Sequence, residues 1–132
     1  MMGERTPLAE QLTVLVIDDE PPLRDLVRDY LAREGFRVVT AADGLTAVEM
    51  ARAHQPDIVV LDLMLPGIDG LEATRRIRAD PALRDTPVIA LTALAMPGDR
   101  ERCLEAGAND YLTKPVSLRT LLRAIAAQLQ QP

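Results

Sequence analysis

The stretch LVIDDEPPLRDLV, Leu15 to Val27, changes character twice. An unbroken apolar run, Leu15-Val16-Ile17, meets three acids, Asp18, Asp19 and Glu20. Pro21-Pro22 then stop the strand, and Leu23, Leu26 and Val27 resume at spacings of three and one. A continuous rather than alternating apolar run suits a strand covered on both faces. Like charges repel, so carboxylates crowded where a buried strand emerges call for a compensating proton or cation.

The same grammar repeats outward from this stretch. Val14 to Ile17 form the first strand, and Leu23, Leu26, Val27, Tyr30 and Leu31 line one face of a helix. Pro22 suits that helix's first turn and Gly35 its end. Phe36 to Thr40 reads as a second strand, followed by a short helix from Gly44 to His54 with Asp43 as its cap. Ile58-Val59-Val60-Leu61 is a third buried run and again ends in an acid, Asp62. A helix over Leu71 to Ala79 follows. Val88-Ile89-Ala90-Leu91 ends at Thr92, and Asp99 to Ala106 forms a helix that Gly107 closes. Asn109 to Thr113 is a fifth strand, ending at Lys114. Ser117 caps the last helix, whose stripe is Leu118, Leu121, Leu122, Ile125 and Leu129. Five strands alternating with five helices predict an α/β fold: a doubly wound, five-stranded parallel sheet with helices on both faces and right-handed crossovers.

The bulk numbers agree with this. The chain has 132 residues, 48% of them hydrophobic and 27% charged, with mean hydropathy near zero. That is one domain's worth of ordinary globular composition. Residues 12 to 130 read as that domain, and 1 to 11 as a flexible N-terminal tail. Aromatics are only 2%, so the core must be aliphatic. The net charge of −5 and the absence of a basic stripe argue against direct nucleic-acid binding. No apolar run approaches the ~18 residues of a membrane span, no hydrophobic signal core opens the chain, and a single cysteine, Cys103, suggests nothing secreted. The expected location is the cytoplasm.

Ligands of open α/β sheets bind beyond the carboxyl ends of the strands, where the strand order reverses. Here those ends carry Asp18 and Asp19, Asp62, Thr92 and Lys114. If the strand order is 2-1-3-4-5, the first and third strands are neighbours, and three carboxylates would converge beside a hydroxyl and an ammonium. Oxygen ligands of this kind suit Mg²⁺, which typically takes one or two carboxylates together with water and phosphate. Each residue alone has a plainer reading: Asp19 or Glu20 as a cap for the following helix, Asp62, Thr92 or Lys114 as chance. Their joint placement at four strand ends is what favours a site. Of 15 basic residues, Lys114 is the only lysine. Its compact charge can approach a single phosphate oxygen.

These residues carry a family resemblance. VIDDEP, VVLDLMLPGIDG, VIALTA and AGANDYLTKPVS resemble, in order and spacing, the receiver domain of bacterial two-component response regulators, a CheY-like superfamily with a flavodoxin-like (βα)5 fold. The likeness runs from about residue 12 to 130. It implies that Asp62 accepts a phosphoryl group from a histidine kinase or phosphotransfer protein. It implies that Asp19 binds Mg²⁺ directly, Asp18 largely through water and Met64 through its backbone carbonyl. Lys114 would contact the acyl phosphate, Thr92 would bond a phosphoryl oxygen, and Tyr111 would be the aromatic switch. Pro115 marks a possible cis peptide bond. The responding surface would be the fourth helix, fifth strand and fifth helix. Met64 and Leu94 would flank the path of hydrolytic water; both are apolar, so self-dephosphorylation should be slow.

The resemblance implies a signalling module rather than an enzyme, with an unidentified downstream partner, existing as a monomer or a weak phosphorylation-dependent dimer. A stand-alone regulator fits the start at Met1-Met2; a receiver from a hybrid histidine kinase is the close alternative. A Mg²⁺-dependent phosphatase with an aspartyl nucleophile usually has two acids spaced two apart at one strand end, unlike the adjacent acids here. A flavin binder would need a neutral loop in place of DDEPP. Other residues read as structural: His54 as a surface histidine, Cys103 as a small buried hydrophobe, Tyr30 as core, and Arg75-Arg76-Arg78 as a solvated helix face. The turn Pro66-Gly67-Ile68-Asp69-Gly70 is expected to aim the Met64 carbonyl inward, with Gly70 read equally as a simple loop residue.

Overall fold

The computed structural model describes residues 12–65, 67–93 and 96–130. The expected tail, Pro66 and Leu94 lie outside that set. The elements are β1 (Thr13–Ile17), α1 (Pro21–Arg33), β2 (Arg37–Ala41), α2 (Gly44–His54), β3 (Ile58–Asp62), α3 (Gly70–Ala79), β4 (Val88–Thr92), α4 (Asp99–Ala106), β5 (Asp110–Thr113) and α5 (Leu118–Leu129). All strand pairs are parallel, and the sheet order is β2-β1-β3-β4-β5. The expected alternation and strand order are both present. Observed strand limits differ from the sequence reading by a residue at β1, β2 and β5, because pairing rather than apolar content ends a strand.

The continuous apolar runs are explained by the two cores. Successive side chains of a strand point to opposite faces. Leu15, Ile17, Val59, Leu61 and Val88 pack with Ala47, Ala51, Ala73 and Ile77 of α2 and α3. Val14, Val16, Ile58, Val60, Ile89 and Leu91 pack on the other face with Val27, Leu31, Leu121 and Ile125 of α1 and α5. The three central strands are buried throughout. A smaller cluster, Ala90, Cys103 and Ala108 with Leu63, Leu71 and Tyr111, seats α4. Tyr30 packs at the margin of the second core.

Helix starts follow local chemistry. Asp43, Asp69 and Ser117 each accept a hydrogen bond from the backbone N–H three residues on. At α1, neither Asp19 nor Glu20 caps: Glu20 holds the cap position without a side-chain bond, and proline opens the helix.

The arginine cluster divides. Arg75 and Arg76 pair with Glu72 on an exposed face, as expected of a solvated stripe. Arg78 does not. Its guanidinium donates to the carbonyls of Gly107 (2.8 Å) and Thr86 (2.9 Å), to that of Arg84, and to Asn109 Oδ1 (2.9 Å). Asn109 Oδ1 also accepts the Val88 amide at 2.9 Å. Arg78 therefore fastens the end of α3 to the loop before β4 and to the turn between α4 and β5. Burial lowers its pKa from the ordinary guanidinium value, against the opposing charge of Asp85, yet arginine stays charged. Gly107 sits at φ 114°, and a Cβ there would lie 3.1 Å from the Arg78 side chain. Glycine meets both constraints.

Candidate functional site

Strand register brings the site together. Ile17 pairs with Leu61 and Thr92 with Thr113, so the residues just beyond or at these positions share one edge of the sheet. The Asp18 amide donates to the Ala41 carbonyl at 3.1 Å, and the Lys114 amide to the Thr92 carbonyl at 2.7 Å. Asp18, Asp62 and Thr92 are buried at 4%, 3% and 2% exposure. Lys114 Nζ lies 2.8 Å from Asp62 Oδ2, 3.2 Å from Asp18 Oδ2 and 3.9 Å from Glu20 Oε1. Burial alone would push the Lys114 ammonium down; the hydrogen bond and charge of Asp62, with those of Asp18, outweigh it and raise its pKa. Lys114 thus remains charged through the neutral range.

One oxygen from each of Asp18, Glu20 and Asp62 lies within 4.8 Å of the other two. Two carboxylate charges at that separation repel by roughly 3 kcal/mol at an effective dielectric of about 20. One ammonium offsets part of this, and a divalent cation would offset more. An all-oxygen donor set with a cation already seated among the carboxylates fits Mg²⁺.

Asp19, the residue expected to bind the metal directly, is exposed and outside this trio. Glu20 was read only as a possible cap. Asp18 Oδ1 accepts the Glu20 amide at 2.9 Å, and the chain turns so that Glu20 shares the cleft side. Arg24 Nη1 holds the Asp18 carbonyl at 3.0 Å. The proline-rich turn after the acids was the available signal.

The loop after Asp62 is held by close packing. The Met64 amide donates to Asp62 Oδ1 at 2.9 Å, while the Met64 side chain is 55% exposed. Gly70 is more than a loop residue: a Cβ there would stand 2.6 Å from Leu63 Cα and 2.9 Å from the Asp62 carbonyl. At Gly44 a Cβ would meet the Ile68 carbonyl at 2.4 Å. Both helix starts press directly on this loop.

The Lys114–Pro115 bond is cis. Tyr111 packs against the small cluster of Ala90, Cys103 and Ala108. Its hydroxyl is buried with no hydrogen-bond partner among the described residues. Burial raises the Cys103 thiol above its ordinary pKa, Arg102 opposing, so this cysteine is a poor nucleophile. A groove of about 330 Å³, whose lining includes Leu23, Leu26, Val27, Leu91, Pro115 and Val116, also touches Asp18 and Lys114.

A parallel sheet in this order, with buried carboxylates and one lysine at its reversal point, defines a receiver-type signalling module. The comparisons agree. The family model for the response regulator receiver domain matches residues 14–126, and the chain belongs to that family. It is 37% identical over 117 residues to the polar-differentiation response regulator DivK of Brucella anthropi, covering 89% of this chain and 95% of that one. Among solved structures it resembles the receiver domain of the sensor histidine kinase PA1611 from Pseudomonas aeruginosa (41% identity, TM-score 0.84, covering 91% and 98%), described with a magnesium ion coordinated in its active-site cleft. It also resembles the chemotaxis response regulator CheY4 of Vibrio cholerae (30% identity, TM-score 0.84, covering 89% and 98%). The protein is thus a two-component receiver. No helix among the described residues is long and apolar enough to cross a membrane.

Proposed function

We propose that this receiver takes a phosphoryl group onto Asp62 from a phosphohistidine of a histidine kinase or phosphotransfer protein, with Mg²⁺ bound beside it. The observation carrying this reading is the buried Asp62 carboxylate with Lys114 Nζ at 2.8 Å and Asp18 beside them. A carboxylate oxygen attacks phosphorus in line and forms an acyl phosphate as the phosphorus–nitrogen bond to the donor histidine breaks. Lys114 follows the phosphoryl oxygens and offsets their charge. Thr92, at the end of β4, offers a hydroxyl to one of them. The Met64 amide holds Asp62 Oδ1 and so orients the other oxygen for attack. Bound Mg²⁺ would supply further charge neutralisation; Asp18, Asp19, Asp62, the Met64 carbonyl and the water around them are the groups proposed to hold it.

Output follows from Thr92 and Tyr111, through the surface made by α4, β5 and α5. Receivers of both kinds resemble it, a response regulator matched over 95% of its length and the receiver of a sensor histidine kinase. A cytoplasmic location and a monomer or weak dimer complete the reading.

Incubation with acetyl phosphate and Mg²⁺ tests it by intact-mass measurement. One phosphoryl group should add to the wild type, none after EDTA treatment, and none to Asp62→Asn. Full labelling of Asp62→Asn would point to another acceptor and sink the assignment.

A further inference from the structure

We infer that Glu20 is a determinant of divalent-cation affinity in this chain, supplying the third carboxylate of the cleft alongside Asp18 and Asp62. The inference rests on the cleft being the magnesium site. Asp18 and Asp62 are buried, and one oxygen of each lies within 4.8 Å of a Glu20 oxygen. Lys114 Nζ, the cation already present, stands 3.9 Å from Glu20 Oε1 as well as 2.8 Å from Asp62. A cation in this cleft therefore feels all three charges. Glu20 is held there by its backbone, whose N–H is taken by Asp18 Oδ1 at 2.9 Å. Its side chain is 66% exposed, which leaves it free to reach a hydrated ion, directly or through water. Mg²⁺ keeps much of its water and needs few direct carboxylates. A solvated third carboxylate suits that preference, because its charge acts without stripping the ion.

Isothermal titration with MgCl₂ decides the point on the intact chain. Glu20→Gln keeps the shape and removes the charge, and should weaken Mg²⁺ about three- to tenfold. Glu105→Gln, an equal loss of charge on the exposed face of α4, should bind like wild type, which separates a local effect from net charge. At low Mg²⁺ the labelling rate of Glu20→Gln should fall below that of wild type. Asp18→Asn and Asp19→Asn test the site itself, with Asp19→Asn the more damaging if Asp19 is the direct ligand. Wild-type affinity in Glu20→Gln, with Asp18→Asn or Asp19→Asn weakened, would overturn the role of Glu20 alone. Absence of Mg²⁺ binding by the wild type would overturn the site as well. A loss in Glu105→Gln equal to that in Glu20→Gln would reduce the effect to overall charge and also overturn the inference.

Discussion

Lys114 joins two buried aspartates and one exposed glutamate, and its position depends on pairing far from it in sequence. Two side chains near this centre invite direct tests. The Tyr111 hydroxyl is buried without a partner among the described residues, a burden of roughly 1–3 kcal/mol for a buried polar group. Tyr111→Phe should therefore raise the stability of the inward arrangement by about 1 kcal/mol in urea unfolding, with an unchanged slope. A loss of stability would mean that the hydroxyl is satisfied. Met64 concerns lifetime. It is apolar and largely exposed, and Leu94, which lies outside the described residues, is its proposed companion. Neither can orient a water, and lost positioning or proton transfer costs ~10²-fold or more in rate. The Met64→Asn, Leu94→Glu double variant should shed its phosphoryl group faster after donor removal, while wild type holds it for far longer than seconds. Equal decay rates would relieve these side chains of that role.

Among the elements, α3 has two tasks at its two ends. Its first residue, Gly70, lets the helix press against the acceptor loop at 2.6 Å from Leu63 Cα. Near its last turn, Arg78 ties three segments at the opposite edge of the sheet. Lysine cannot reproduce a planar fork with five donors, so Arg78→Lys strands at least one part-buried carbonyl. The expected cost is about 2 kcal/mol, or roughly 6–10 °C in Tm for a chain of this size. Labelling of Asp62 should survive, since the clamp and the acceptor sit at opposite strand ends. A melting point equal to wild type would show the bonds to be replaceable by water. The three adjacent arginines looked alike in sequence; only Arg78 has its position fixed by the turn at Gly107 and the loop before β4.

At the scale of the molecule, the proposal couples Asp62 to a surface on α4, β5 and α5. Thr92 ends β4 and Tyr111 lies on β5, with the small cluster of Ala90, Cys103 and Ala108 between strand and helix. Thr92→Ala should still accept a phosphoryl group yet bind a partner captured by the phosphorylated wild type at least several-fold more weakly. Phosphorylation-dependent binding equal to wild type would break the coupling while leaving the chemistry intact. The element order, the doubly buried strands and the polar residues at the strand ends that are proposed as the site were legible in the sequence because each is written locally. Continuous apolar runs mark strands covered on both faces, and a polar residue ends each run. Strand order, by contrast, joins residues such as Ile17 and Leu61, whose separation no local period encodes; the order 2-1-3-4-5 entered only as a condition, one of the common orders of doubly wound sheets. Which neighbour of Asp18 shares its cleft was also beyond local reading. Adjacent acids look equivalent until the Asp18 carboxylate takes the Glu20 amide and turns the chain. The fixing of Arg78 and not Arg75 belongs to tertiary structure, because the Thr86 and Gly107 carbonyls that hold its guanidinium come beside it only through the fold.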